Sequence, residues 1–170
     1  MISKKITLIG DFSTGKTSLI RRFVDNQFSD KYLSTLGVKI SKKLIKLDDT
    51  SIQGLIWDIE GGTKTKPLNE TYLRGMHGSI IVADITRDDT IDNISNYIEI
   101  AKSVSLQIPY VVALNKSDKL DSSVNETIKS DLISRLDISE QQVYLTSAKT
   151  GEGVEEMFVS LAKNILNKRD

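Results

Sequence analysis

The chain contains no cysteine and only one histidine, and its 23 basic and 23 acidic side chains leave no net charge. Without cysteine it can form no disulfide, thiolate metal site or thiol nucleophile, and it can carry no prenyl or palmitoyl group. The single histidine, His77, leaves little material for a histidine-rich metal site or a Ser-His-Asp relay. The balanced charge gives no support to binding of nucleic acid, which requires a basic excess.

Long apolar runs are also absent. No run of about 18 apolar residues is present, so the sequence predicts no membrane-spanning helix, and the apolar segment near Met1 is shorter than a signal-peptide core. Apolar residues make up 39% of the 170 residues and charged residues 27%, a balance typical of globular domains. We therefore expect a single domain, residues 1–170, that is cytoplasmic and monomeric.

Strand and helix patterns alternate along the chain. Short apolar or alternating segments predict six strands, at residues 5–9, 38–47, 52–57, 79–83, 110–114 and 143–145. Apolar residues at helical spacing predict helices over residues 16–25, 90–104, 124–136 and 153–166. The alternation indicates an α/β doubly wound sheet of six strands, mostly parallel with one antiparallel edge strand, and about five helices. Ligands of such sheets bind at the carboxyl ends of the strands.

A phosphate-binding motif follows the first predicted strand. The segment Gly10-Asp11-Phe12-Ser13-Thr14-Gly15-Lys16-Thr17 fits G-x-x-x-x-G-K-[ST] and precedes a helix that continues with Ser18, as the motif requires. Its glycines allow backbone N–H groups and the positive end of the helix to face phosphate oxygens. Lys16 is expected to reach the β- and γ-phosphates, and Thr17 to bind Mg²⁺. The alternative is a chance glycine turn, which the strand–helix context disfavours.

The loop after the fifth predicted strand indicates which base is bound. It reads Asn115-Lys116-Ser117-Asp118, and the Asp118 carboxylate can accept both the N1–H and the 2-amino N–H of guanine, a donor pair that adenine lacks. Four such residues alone would more often form a solvated turn, but their place after a strand and downstream of the P-loop reverses that weighing and favours a guanine site. N-K-x-D is the guanine motif of the Ras-like GTPases, which this chain resembles.

The resemblance extends over nearly the whole chain and is greatest to the Rab branch. Besides the two loops, it rests on residues 28–32, 34–38, 57–58, 74–78 and Ser147-Ala148-Lys149. It implies a P-loop NTPase fold that binds GTP or GDP with Mg²⁺ and hydrolyses GTP. It also implies that protein effectors or regulators bind two switch segments, residues 30–40 and 59–76, which γ-phosphate and metal contacts order.

The same resemblance assigns roles around the nucleotide. Phe28 would pack against guanine, Tyr32 would cover the phosphates, and the Ala148 N–H would meet guanine O6. Asn115 would bridge neighbouring loops, and the Lys116 stem would cover one face of the base.

Residues for the metal and for hydrolysis are implied in the same way. Thr17 and Thr35 would bind Mg²⁺ directly and Asp58 through water, while the Gly61 N–H would sense the γ-phosphate. Hydrolysis would then rest on charge stabilisation involving Lys16, Thr35 and Gly61. His77 would be a structural residue.

The second switch departs from the family pattern. The family's D-T-A-G-Q-E is replaced by Asp58-Ile59-Glu60-Gly61-Gly62-Thr63, so glycine stands at the position of the glutamine that orients the attacking water. We therefore expect slow intrinsic hydrolysis, unless Glu60, Thr63 or a partner protein supplies the missing function. If only the glutamine is missing, Gly62→Gln is expected to speed hydrolysis.

Two further departures concern the P-loop and the end of the chain. Phe12 and Ser13 stand where the family has small residues, and the phenyl ring is expected to crowd an arginine finger, rather than to point to solvent or pack on the second switch. The chain ends at Asp170, directly after the last predicted helix and without a lipidated tail. We therefore expect no direct lipid anchor.

Three functions remain open from the sequence. The first is a guanine-nucleotide switch that hydrolyses GTP slowly without a partner. The second is a hydrolysis-deficient module that stays bound to GTP and presents a fixed surface to a partner. The third, a P-loop kinase for a small molecule, is disfavoured by the guanine loop and by the lack of an evident arginine-rich lid.

Overall fold

A computed structural model describes residues 1–168, and the terminal Arg169 and Asp170 lie outside the described residues. Its centre is a six-stranded sheet of β1 (Ile2–Gly10), β2 (Val38–Lys46), β3 (Ser51–Ile59), β4 (Gly78–Asp84), β5 (Tyr110–Asn115) and β6 (Val143–Leu145). The strand order is β2-β3-β1-β4-β5-β6, in which only the β2–β3 pair is antiparallel. This topology confirms the predicted mostly parallel sheet with one antiparallel edge strand.

The described residues contain five α-helices, α1 (Lys16–Asp25), α2 (Asp88–Asp92), α3 (Ile94–Val104), α4 (Ser122–Leu136) and α5 (Val154–Asn167). The helix predicted over 90–104 begins earlier and is divided at Asn93. Its early start has a physical reason, because Asp88 and Asp89 place negative charge in the first turn, where the helix dipole favours it. No helix within residues 1–168 is both long and apolar enough to cross a bilayer.

The central strands β4 and β5 are buried on both faces of the sheet, as their continuous apolar runs predicted, whereas the edge strand β2 is largely exposed. On one face α1 and α5 pack against β1, and the rings of Phe23 and Phe158 stack with their centroids 4.0 Å apart. On the other face α3 and α4 cover β4 and β5, with Ile94 and Leu132 in the core. The two layers fix the sheet, so the loops at its carboxyl edge start from rigid positions.

His77 lies directly before β4, at the amino edge of the sheet. The Lys5 N–H donates to its Nδ1 at 2.9 Å, and the His77 N–H donates to the Lys5 carbonyl at 2.8 Å. These bonds join the loop before β4 to β1, at the opposite edge from the P-loop. They agree with the structural role expected for this histidine.

Candidate guanine-nucleotide site

The P-loop wraps around the ammonium group of Lys16, the first residue of α1. This group is almost fully buried and donates to the carbonyls of Asp11 at 2.9 Å and Gly10 at 3.2 Å. Burial lowers the pKa of Lys16 to about 8, although the charges of Asp58 and Asp11 act in the opposite direction. A cation held here in a desolvated cradle is suited to stabilise an anionic ligand.

The guanine loop is tied to the P-loop through Asn115. Its Nδ2 donates to the Thr14 carbonyl at 3.0 Å, and its Oδ1 accepts from the Thr146 hydroxyl at 3.2 Å. Gly15 has φ +98°, and a Cβ there would lie 2.3 Å from the Asn115 amide. Glycine is therefore required at position 15 by backbone conformation and by space. Asn115 joins the two loops, as its predicted role requires.

Lys116 makes a second connection between the same loops. Its Nζ lies 2.9 Å from Oδ2 of Asp84 and donates to the Ser13 carbonyl at 3.1 Å. Burial raises the pKa of Asp84, but hydrogen bonds from Thr86 and Lys116 outweigh it and hold the pKa below its ordinary value. Asp84 is therefore a charged anchor that holds the Lys116 side chain beside the P-loop.

Asp118 faces the loop that follows β6. Its Oδ1 accepts a hydrogen bond from the Ser147 hydroxyl at 2.8 Å. Arg22 of α1 holds the same loop, since its guanidinium donates to the carbonyls of Ala148 and Lys149, both at 2.7 Å. Three separate chain segments thus meet at this point, namely α1 through Arg22, the guanine loop through Asp118, and the loop of residues 147–149.

A cavity of about 450 Å³ opens between these segments and the first switch. Its walls include residues predicted to contact the base, namely Phe28, Asn115, Lys116, Asp118, Ala148 and Lys149. Ser13, Gly15, Ser18 and Tyr32 continue the lining toward the P-loop. The cavity therefore combines an aromatic wall, a lysine stem and a carboxylate, which suits a planar base that carries hydrogen-bond donors.

A second, smaller pocket contains three oxygen-bearing side chains at its floor. The Thr17 hydroxyl donates to Oδ2 of Asp58 at 2.6 Å and lies 2.6 Å from the Thr35 hydroxyl, which donates to the same Oδ2 at 3.2 Å. Oδ1 of Asp58 is buried and has no hydrogen-bond partner. Burial raises the pKa of Asp58, and the bond from Thr17 and the charge of Lys16 offset this only in part.

The donor set of this pocket fits Mg²⁺. Two hydroxyls and a carboxylate are hard oxygen ligands, and the unpartnered Asp58 oxygen leaves an acceptor for a metal-bound water. No cluster of three or more His, Cys, Asp or Glu side chains that could hold a metal occurs among residues 1–168. The remaining ligands of an octahedral ion would therefore have to come from water and phosphate.

The phenyl ring of Phe12 lies at the mouth of the phosphate pocket. It is 44% exposed and contacts the ring of Tyr32, with centroids 5.6 Å apart and the planes tilted by 54°. One alternative considered from the sequence was that this ring packs on the second switch. The aromatic contact is instead with Tyr32, a residue of the first switch. Ser13 has φ +66°, a left-handed conformation that glycine adopts without strain and serine does not.

Glu60 connects the two switches. Its Oε2 accepts from the Gly37 N–H at 3.0 Å, its own N–H donates to the Gly37 carbonyl at 2.8 Å, and its carboxylate pairs with Lys66. The bond from Gly37 and the Lys66 ammonium lower the pKa of Glu60. Thr63 accepts from the Lys66 N–H at 3.0 Å. Both residues suggested as substitutes for the glutamine are thus engaged within the switches.

Comparison with known proteins agrees with this arrangement of loops. The family model described as Ras family matches residues 5–167. The chain belongs to the Ras family. A relative from Theileria annulata, Ras-related protein Rab-1, is 36% identical over 167 residues, which cover 96% of this chain and 74% of that protein. This membership confirms the resemblance that the motifs predicted.

Two more relatives place this Ras-family chain beside Rab proteins. Ras-related protein Rab-1C of Dictyostelium discoideum is 37% identical over 164 residues, covering 95% of this chain and 80% of that protein. GTP-binding protein ypt1 of Schizosaccharomyces pombe is 32% identical over 163 residues, covering 95% and 79%. The chain is therefore Rab-like, and its enzyme class is that of the family, a GTPase.

Several residues of this Ras-family site were not found from the sequence. They are Arg22 and Asp84, described above, together with Arg87, Asn93 and Tyr97, which contact the P-loop. Asp84 carried a usable signal, because it ends a buried strand at the carboxyl edge where ligands bind. Arg87, Asn93 and Tyr97 are distant in sequence from the P-loop, and Arg22 is distant in sequence from the loop that it contacts, so no local pattern marks these four residues.

Proposed function

We propose that the whole chain is one GTPase domain that binds GTP and GDP with Mg²⁺ and hydrolyses GTP slowly without a partner. The observation that carries the proposal is the joining of the guanine loop to the P-loop. Asn115 bonds to Thr14, and Lys116 bonds to Ser13. A base in the larger cavity and phosphates on the P-loop would therefore be recognised as parts of one molecule.

Phosphate binding follows from the charge already present. Lys16 would exchange its bonds to backbone carbonyls for the β- and γ-phosphate oxygens, and the N–H groups at the start of α1 would add to this. Thr17, Thr35 and Asp58 would hold Mg²⁺, which when bound neutralises phosphate charge. Lys16, Thr35 and the Gly61 N–H would then stabilise the γ-phosphate while water attacks phosphorus, giving GDP and phosphate.

Slow hydrolysis is proposed because the glutamine that would orient water is missing and its two suggested substitutes are engaged elsewhere. Gly62 has no side chain, and Glu60 and Thr63 are engaged with Gly37 and Lys66. An arginine finger contributes a rate factor of about 10³–10⁵ in this class, in addition to the glutamine that positions the water. Phe12, at the mouth of the phosphate pocket, is proposed to crowd such a finger.

A second candidate is a module that remains bound to GTP. It is favoured by the bonds between Glu60 and Gly37, which connect the switches through the protein's own groups. Switch residues 30–40 and 59–76 would then present a fixed surface to a protein partner. Both candidate functions require a bound guanine nucleotide. The hydrolysing enzyme would retain GDP, whereas the module would retain GTP.

Chromatography of the nucleotide released from purified, denatured protein tests the proposal. Guanine nucleotide in about one-to-one ratio supports the site, and a majority of GDP favours the hydrolysing enzyme over the GTP-bound module. Equal displacement of the bound nucleotide by ATP and GTP would overturn the guanine assignment. Asp121→Asn, outside the cavity on an exposed side chain, is a matched control for variants of Asp118.

A further inference from the structure

The carboxylate of Asp11 is held by two side chains of the α2–α3 region. Its Oδ1 accepts from the Tyr97 hydroxyl at 2.7 Å, and its Oδ2 accepts from the Asn93 amide at 2.7 Å. Tyr97 is a residue of α3, and its side chain is almost fully buried in the core that this helix covers. Burial, together with the hydrogen bond to Asp11 and its negative charge, raises the pKa of Tyr97, so the hydroxyl stays a donor.

Gly62 is hydrogen-bonded to the two P-loop residues that flank Asp11. The Phe12 N–H donates to the Gly62 carbonyl at 3.0 Å, and the Gly62 N–H donates to the Gly10 carbonyl at 3.2 Å. This pair of bonds forms a short parallel bridge between Asp11 and Gly62. Gly62 therefore cannot move away from the P-loop without breaking two backbone hydrogen bonds.

The Tyr97 hydroxyl occupies the space beside Gly62. A Cβ built on Gly62 would lie 2.6 Å from the Tyr97 oxygen and 3.7 Å from the ring carbon that carries it. The backbone of Gly62 is not in the left-handed region, so its conformation is open to other residues. The obstacle to a side chain at position 62 is the lack of space beside it. Movement of Tyr97 would cost its bond to Asp11, which is why the hydroxyl cannot simply yield.

We propose that Tyr97 is a positioning residue that holds the P-loop and Gly62 together and disfavours any side chain at position 62. Its bond to Asp11 acts on the binding site, because the Asp11 carbonyl is also an acceptor for Lys16. Position 62 therefore lacks the glutamine, and the Tyr97 hydroxyl also occupies the space that a glutamine side chain would need. The expectation that Gly62→Gln alone speeds hydrolysis is not supported by this geometry. The catalytic part of the inference rests on the proposed function.

The first test adds only a Cβ and needs no catalysis. Gly62→Ala is made in the otherwise unchanged chain, in Tyr97→Phe and in Asn93→Ala, and Tm is measured with excess GDP and Mg²⁺. Tyr97→Phe removes the oxygen at 2.6 Å, whereas Asn93→Ala weakens the hold on Asp11 without making room. We expect Gly62→Ala to lower Tm by about 4 °C or more in the unchanged chain and in Asn93→Ala, but by less than about 1 °C in Tyr97→Phe.

An equal loss of Tm in all three backgrounds, or no loss in any, would overturn the inference. If Gly62→Ala yields no folded protein by itself, recovery of folded protein in Tyr97→Phe supports it, and failure in both backgrounds overturns it. The comparison is made between pairs that differ only at position 62, so the cost of the Tyr97→Phe change itself cancels.

The second test reads hydrolysis in a single turnover of bound GTP. Gly62→Gln is expected to give no gain by itself and a gain of at least about tenfold when added to Tyr97→Phe. An equal gain in both backgrounds would overturn the positioning role. Thermal coupling without hydrolysis in any variant would support the inference about Tyr97 and overturn the proposed GTPase function, so the two failures are distinguishable.

Discussion

Asp84 and Lys116 form an ion pair of 2.9 Å between the ends of two adjacent parallel strands, β4 and β5. Asp84 is buried, and Lys116 also reaches the Ser13 carbonyl. One carboxylate on a central strand thus holds a lysine beside the P-loop. If the Lys116 stem covers the base, as the family resemblance implies, the pair links sheet packing to nucleotide binding.

Replacement of Asp84 by asparagine is expected to weaken GDP binding about tenfold and to lower stability by about 1–3 kcal/mol. The variant leaves Lys116 without its buried counter-ion, and removing one member of such a pair is costly. Isothermal titration and denaturant unfolding measure the two effects. Asp92→Asn is the control, because its pair with Arg135 is exposed and should contribute little. Equal effects of the two variants would contradict this role.

The contribution of Asp84 has a defined dependence on pH. Its pKa in the folded protein lies below the ordinary value of 3.8, so its stabilisation is complete above about pH 4 and is lost as the pH falls through the folded pKa. The difference in Tm between the unchanged chain and Asp84→Asn is therefore expected to stay constant from about pH 6 to about pH 4 and to shrink as the pH falls below about 4. A difference that stays constant or grows on acidification would show that the carboxylate charge is not the cause.

Asp118→Asn is expected to lower GTP affinity by at least about 100-fold and to favour xanthosine nucleotides. In the proposed complex the carboxylate would accept two donors of guanine, and hydrogen bonds to charged groups contribute about 1.5–3 kcal/mol each. Xanthine presents an acceptor where guanine has the 2-amino donor, which the asparagine amide can satisfy. Competition between GTP and xanthosine triphosphate measures the change, with Asp121→Asn as control. An unaltered base preference would refute the assignment.

Phe12→Ser is expected to release GDP faster, by about two- to tenfold. The change removes the aromatic contact with Tyr32, and such pairs contribute about 0.5–1.5 kcal/mol. Release of a fluorescent GDP analogue measures the rate, and Phe12→Tyr, which keeps the ring, serves as the matched variant. If both substitutions speed release equally, the ring contact does not retain the nucleotide.

The fold and the ligand-binding loops could be predicted because their signals are local. Apolar runs marked the central strands, and the glycine and lysine of the P-loop stand next to one another in sequence. Thr17, Thr35 and Asp58 lie far apart in the chain, and only the family resemblance grouped them, as the structure now does. The predicted helix bounds were least accurate where a cap residue decides them. Asn93 is such a residue, since it ends α2 and precedes α3.

The contacts that modify the site could not be predicted in this way. From the sequence, Gly62 is simply a missing glutamine, whereas the structure shows the Tyr97 hydroxyl in its place. The reason is that a helix 35 residues downstream supplies the oxygen, and the periodicity of α3 marks Tyr97 only as a core residue. Asp84 differs from Tyr97, because its place at the carboxyl end of an apolar strand was a usable signal, although its pairing with Lys116 was not visible in the sequence.

The most direct test of GTP hydrolysis without a partner is a single-turnover assay of the purified chain loaded with GTP and Mg²⁺. Release of phosphate is followed over hours, with Lys16→Ala, which removes the phosphate-binding cation, as the inactive control. We expect slow conversion of bound GTP to GDP, at a rate that exceeds that of the control. Phosphate release no faster than the control, with GTP still bound at the end, would contradict a hydrolysing enzyme and leave the GTP-bound module.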